Sequence, residues 1–234
     1  MKGDKFLSVQ LDETLENNSW RNIGWAIHNG CAPASWLGQI KEITSGALNG
    51  YHLQFVDKQS RYERVDGNGY SKGALQLYET TAQVYTMNAS ATNTGGYASS
   101  DLRTTLNGFW NDLPSDLKQI LCQVKVVSGI GDNQAITSSS DNYVFLPSEY
   151  EITGSNDGGS LGSSEGTPQY DYWKGKTSGE RIKQAYGTST DNGWWFRSPV
   201  RTQEFVMTYA DGTIGGNPAN LSYKAGVSFI LAIK

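Results

Sequence analysis

Residues 194–199 read Trp-Trp-Phe-Arg-Ser-Pro, WWFRSP in one-letter code. Bulky aromatics in succession, closed by a proline, predict a β-strand. Side chains alternate along a strand, so Trp195 and Arg197 share one face and Trp194 and Phe196 the other. Aromatic residues on both faces mark a strand enclosed on both sides. Arg197 then needs backbone carbonyls or a carboxylate such as Asp171 or Glu165. The functional alternative is an aromatic and arginine platform that stacks a sugar or pairs an anion. Packing is the simpler use of such a strand.

Downstream of this run, Phe205–Tyr209 predicts a second strand, Asp211-Gly212 a hairpin turn, and Gly226–Ile233 (GVSFILAI) one buried closing strand. Upstream, residues 154–169 (GSNDGGSLGSSEGTPQ) form a long polar loop, a length that in compact domains accompanies function or mobility. Tyr143–Leu146 and Cys122–Val127 predict strands, and Ser148 caps a helical turn through Tyr150. Ser99 or Ser100 caps a helix carrying Leu102, Leu106, Phe109 and Trp110, and Ser115 caps a shorter one with Leu117, Ile120 and Leu121. Near the N-terminus Trp20, Ile23 and Ile27 follow helical spacing, and Asn29-Gly30 ends that helix. Tyr51–Val56 and Ala74–Tyr78 predict short strands on either side of a charged, glycine-rich loop over 61–73.

Composition narrows the function classes. The 234 residues carry 19 Lys and Arg against 23 Asp and Glu, net −4, which argues against a protein built on phosphate-backbone binding. Charged residues are 18% and glycines number 27, the profile of a loop-rich, polar, weakly charged surface. Aromatics at 12% are too many for a disordered chain. No apolar run reaches membrane-spanning length, and MKGDKFLSVQLDETLENN lacks the apolar core of a secretory leader. Cys31 and Cys122 are the two cysteines, and His28 and His52 the two histidines. A disulfide framework, a four-cysteine zinc site and a histidine-rich metal centre are therefore not expected.

Six ordered motifs carry a family resemblance: 87–107 (MNASATNTGGYASSDLRTTLN), 113–128, the segment from Asp141 to Gly154, 165–173 (EGTPQYDYW), WWFRSP, and the terminal GVSFILAI. In this order they resemble an uncharacterised domain that recurs in bacteriophages, prophages and gut or Gram-positive bacteria. That domain is similar in layout to the C-type-lectin-like fold, which also occurs in phage tropism proteins and formylglycine-generating enzymes. The resemblance is strongest over 87–234. It implies an α+β fold over 1–234 as one domain: a C-type-lectin-like core of twisted antiparallel strands, two or three flanking helices, and long polar loops. It also implies a non-enzymatic virion surface protein, located in a tail fibre, baseplate or head decoration. The expected partners are other virion proteins and a host-envelope glycan or protein, with no nucleic acid, no membrane insertion and no cofactor. A homo-oligomer is an expectation of that setting. Copper chemistry of the formylglycine-generating kind is not carried over, because no cysteine follows Cys122. A bacterial surface adhesin module is the first alternative, and a glycan hydrolase the second.

The binding residues this reading nominates are Tyr170, Tyr172, Trp173, Arg201, Tyr209, Asn217 and Tyr223, together with the 154–169 loop. Tyr supplies contact area at low entropy loss and suits adhesive surfaces. Trp194, Trp195, Arg197, Asn88, Asn93 and Arg103 are nominated as structural: Gly95 and Gly96 permit a tight turn that the asparagines and Arg103 tie down. Trp110-Asn111-Asp112 spells the WND triplet of calcium-dependent lectins. It sits at a predicted helix end without the companion proline loop, and is read as coincidence. Glu149, Glu151, Glu165, Asp171 and Glu180 are the carboxylates a hydrolase would draw on.

Overall fold

The computed structural model describes residues 9–156, 158, 165, 168–201, 203–220 and 225–234. Among them the elements run α1 (Trp20–His28), β1 (Ile40–Glu42), β2 (His52–Asp57), β3 (Gly73–Leu77), α2 (Asp101–Gly108), α3 (Ser115–Lys118), β4 (Val124–Gly129), β5 (Thr137–Asn142), β6 (Val144–Phe145), α4 (Glu149–Thr153), β7 (Lys183–Gln184), β8 (Asp191–Val200), β9 (Glu204–Thr208), β10 (Ile214–Pro218), β11 (Ala225–Gly226) and β12 (Ile230–Ile233). The architecture is mixed α/β, mostly antiparallel strands with four α-helices among the described residues.

One sheet has the order β1-β2-β3-β12-β6, antiparallel throughout. A second has the order β10-β9-β8-β11, with β7 paired to the start of β8 and β11 parallel to it. β4 and β5 form a separate ribbon. The WWFRSP stretch lies within β8, and every residue from Asn192 to Val200 is buried. Between Trp195 and Pro199 the β8–β9 register shifts, which frees Arg197 from that ladder; its amide donates to the Pro147 carbonyl instead.

Local chemistry sets the helices. Ser19 Oγ accepts from the Asn22 amide at the head of α1, which buries Trp20, Ile23, Ala26 and Ile27. Gly24 on the same face lets α1 approach closely, since a Cβ there would lie 2.4 Å from the Ile120 side chain. Ser100 caps α2, and Ser148 with Glu151 closes a capping box on α4. The α3 cap differs from expectation: Pro114 occupies the cap position and Ser115 is the first helical residue, because Pro114 supplies the extended backbone that precedes the turn.

The closing segment is also corrected. GVSFILAI is not one strand. Gly226 pairs in parallel with Trp194 in the second sheet, Val227 exchanges hydrogen bonds with Thr81, and Ile230–Ile233 pair with β3 in the first sheet. The chain thus passes from one sheet to the other at residues 227–229. Gly226 allows the crossing, since a Cβ there would sit 2.6 Å from Thr80 Cβ.

Candidate functional site

A cleft of about 960 Å³ opens between the end of β3, the turn at 171–173 and the β7–β8 hairpin. Its walls carry Tyr78, Glu79, Tyr172, Tyr186, Glu180 and Asp191. β3 stops at Leu77, and a parallel bridge from Thr80 to Ala185 ties the following segment to the hairpin. Gly187, with φ +74°, turns the hairpin tip, and Ala185 and Thr190 close it by an amide-to-carbonyl bond of 3.0 Å.

Lys183 lies at the floor of this cleft. Its Nζ donates to the carbonyls of Leu77 (3.2 Å) and Tyr78 (2.5 Å). The ammonium stands 5.5–5.9 Å from the ring centroids of Tyr78, Trp173 and Trp194. Burial pushes its pKa down to about 7, with Glu79 opposing. The amine thus holds the cleft floor to the end of β3. The inner side of Tyr78 faces this amine, while the residue remains 45% exposed.

The opposite wall depends on buried charge. Arg61 donates to both Asp57 oxygens (2.5 and 2.6 Å), to the Gln169 carbonyl at 3.0 Å, and to the Pro168 carbonyl. Burial raises the Asp57 pKa, and the Arg61 guanidinium opposes that rise. Asp57 also accepts from the Asp171 amide, and Gln169 Nε2 donates to the Ile152 and Trp173 carbonyls. These contacts tie segment 168–173 to β2 and α4, and Tyr172 within it is half-buried. The Tyr172 ring lies against Gly38, where φ is +89° and a Cβ would come within 2.8 Å of Cε2.

Of the nominated binding residues, Tyr172 lines the cleft half-buried. Trp173 contributes to the wall but is buried, its Nε1 donating to Gln76. Tyr170 is corrected from surface ligand residue to core: its hydroxyl meets the Tyr62 hydroxyl and donates to Glu151 Oε2, with no exposed area, because the 168–173 segment turns it inward. Arg201 is exposed in the turn between β8 and β9, and Tyr209 and Asn217 bond to each other across β9–β10 at 2.9 Å. These three do not line the cleft. Tyr223 and most of the 154–169 loop lie outside the described residues.

The hallmark residues assemble elsewhere. All five Arg197 donors are satisfied: Nε by the Val127 carbonyl, Nη1 by Leu146 carbonyl and Glu151 Oε2, Nη2 by Glu151 Oε1 and the Glu165 carbonyl. The carboxylate partner is Glu151, at 2.6 and 2.7 Å, not Asp171 or the Glu165 side chain. Asp171 pairs with Lys174, and Glu165 Oε1 accepts from the Gly129 amide, its pKa pushed up to about 7 by burial. Asn93 Nδ2 reaches the carbonyls of Val200, Arg201 and Glu204 while its Oδ1 accepts from Asp132, clamping the β8–β9 turn to the 131–133 loop. Asn88 bonds Thr92 and Asp101, and Arg103 bonds Asn142, Ala98 and Asp141. Trp195 Nε1 donates to the Tyr85 carbonyl, and Trp194 packs edge-on to Phe196.

Three of the five nominated carboxylates, Glu149, Glu151 and Glu165, are buried around Arg197 and Ser198, apart from the cleft. Glu180 alone of the five lines the cleft. Cys31 is exposed and Cys122 buried, both as free thiols, with burial raising Cys122 to about 11. No group of three metal-binding side chains occurs among the described residues, and no helix there is long and apolar enough to cross a membrane.

Sequence reasoning did not find Lys183, Tyr78, Tyr186 or Glu79. The Tyr186-Gly187 turn between polar flanks was a hairpin signal, whereas nothing local marks Lys183. Residues 73–234 match a family described as "Domain of unknown function (DUF6273)". No curated protein and no solved structure matches the chain.

Proposed function

The chain belongs to the DUF6273 family, and from that premise we propose that it is a non-catalytic binding module of a phage virion surface protein, whose cleft receives a host-envelope glycan. The observation that carries the binding mode is the cleft's lining: Tyr78, Tyr172 and Tyr186 beside Glu79, Glu180 and Asp191. A sugar ring presents an apolar C–H face to an aromatic ring and hydroxyls to carboxylates, the mixture these walls offer. The virion setting and the C-type-lectin-like layout rest on the sequence resemblance. The mostly antiparallel sheets with short flanking helices agree with that layout at the coarser level. Burial of Glu149, Glu151 and Glu165 away from the cleft favours binding there over hydrolysis, which needs two carboxyl groups about 5–10 Å apart around the scissile bond.

The test is binding of labelled protein to envelopes of candidate hosts. Saturable binding that free glycan competes away is expected, lost in Tyr172→Ala and kept in Tyr70→Ala, whose ring is exposed away from the cleft. Equal binding by both variants, or none by the wild-type protein to any envelope, sinks the reading.

A further inference from the structure

The main cleft adjoins a second, of about 730 Å³, lined by Glu16, Gln39, Ile40, Glu42 and His52 among others. The two share Gln54, Tyr78 and Tyr172, so those residues form a ridge inside one continuous trough. Resting on the glycan-binding reading above, we infer that the occupant is an extended, non-anionic oligosaccharide that runs across both clefts, with sugar units on either side of the Tyr78–Tyr172 ridge.

Size is the first argument. A pocket that holds one drug-sized ligand measures roughly 300–1,000 Å³. The main cleft alone is near that upper bound, and the second adds most of another. A lone monosaccharide would leave most of the trough to water.

The ridge is the second. It is aromatic and held in place from beneath: Tyr172 by Gly38 and the edge of Trp173, Tyr78 by the Lys183 amine bonded to its own carbonyl. Rigid aromatic surfaces lose little entropy when they bind. Tyr78 and Ile182 on the main cleft and Ile40 on the second are exposed large apolar residues, so both halves of the trough offer apolar surface to a ligand.

Charge is the third. Glu79, Glu180 and Asp191 line one half and Glu16 and Glu42 the other. The basic side chains facing them are Lys183, turned onto two backbone carbonyls, and His52, whose Nδ1 lies 2.5 Å from Glu79 Oε1; Lys41 and Lys176 pair with Glu16 and Glu180. A chain bearing phosphates or uronates would meet like charge along its length. Neutral hydroxyls would instead find acceptors.

The experiment is calorimetric titration of the whole chain with glucose, mannose and N-acetylglucosamine oligomers of one to six units, and with oligogalacturonates of matched length. Affinity for one neutral series should rise at least about tenfold, roughly 1.4 kcal/mol, between one and four units and then level off. Tyr78→Ala, a change at an exposed residue, should abolish that gain with length, and matched oligogalacturonates should bind at least about tenfold more weakly. A monosaccharide that binds as tightly as its tetramer, or an anionic oligomer that binds as tightly as a neutral one, overturns the inference and leaves the cleft as a glycan site. Envelope binding sensitive to Tyr172→Ala but unmatched by any oligomer does the same. Failure of both envelope and oligomer binding overturns the reading beneath it as well.

Discussion

Glu151→Gln should be among the most damaging single substitutions in this chain. Its carboxylate is fully buried and holds Arg197 through two hydrogen bonds of 2.6 and 2.7 Å. It also accepts from the Tyr62 and Tyr170 hydroxyls and the Ser148 amide, so one carboxylate anchors β8, the 168–173 segment and the head of α4. Glutamine keeps the size but removes the charge and turns an NH2 toward a guanidinium whose five donors are already committed. Removing one partner of a buried ion pair costs about 3–5 kcal/mol, because the remaining charge stays desolvated. For a chain of this length about 2–4 °C follows from each kcal/mol, so the melting temperature should fall by roughly 6–20 °C. Urea titration followed by tryptophan fluorescence reads the loss, since Trp194 and Trp195 adjoin Arg197 in β8. The double change Arg197→Met with Glu151→Leu should cost less than the sum of the two single changes, as charge and counter-charge leave together. A Glu151→Gln protein within about 1 kcal/mol of wild type, or a double variant at least as costly as that sum, would refute the reasoning.

Further expectations concern pH and backbone. Lys183, pushed down to about 7 from an unfolded value near 10.4, binds its proton more tightly in the unfolded chain, so its penalty is full below pH 7 and lifts as pH rises from 7 toward 10; Lys183→Met should flatten that limb of a stability–pH curve. Glu165, raised to about 7, acts in the opposite sense: its contribution is complete below about pH 4.3 and is lost as pH climbs through 7, and Glu165→Gln should remove that decline from thermal melts. Gly96→Ala meets both a positive φ of 60° and a Cβ 1.7 Å from the Gly129 carbonyl oxygen, and should cost about 2–4 kcal/mol by urea titration, whereas Gly67→Ala, facing open space, should cost only about 1–2. Asn93→Ala strips the β8–β9 turn of its clamp and should lower stability by about 2–3 kcal/mol, with faster amide exchange at Glu204 than in wild type.

What could be read from sequence was what local chemistry encodes. The α1 face of Trp20, Ile23 and Ile27, the Ser100 and Ser148 caps, and the β8 and β9 strands all follow from spacing or capping within a few residues. What escaped depends on distant pairing. Lys183 meets its carbonyl partners across more than one hundred positions, and the bidentate partner of Arg197 lies forty-six residues upstream, at a glutamate no different in sequence from its neighbours. The paired part of the β7–β8 hairpin, Lys183-Gln184 against Asp191-Asn192, is short and polar, so no hydrophobic alternation announces it. Tyr170 and Tyr172 are two residues apart in one aromatic-rich stretch, yet one is core and the other lines the cleft, a division decided by the Arg61 and Asp57 contacts rather than by residue type.

The position of β12 bears on synthesis. Its four residues, 230–233, are flanked by β3 on one side and β6 on the other, strands laid down roughly 85 to 160 positions earlier. Until residue 233 has left the ribosome, β3 and β6 have no common neighbour and their inner edges stay open. Translation at about 5–20 residues per second leaves the nascent chain in that state for many seconds. Closure of the first sheet therefore waits on residues far downstream of β3 and β6 and rests on long-range contacts, slow by topology. During that interval the open edges of Gly73–Leu77 and Val144–Phe145 are the segments a chaperone would need to shield.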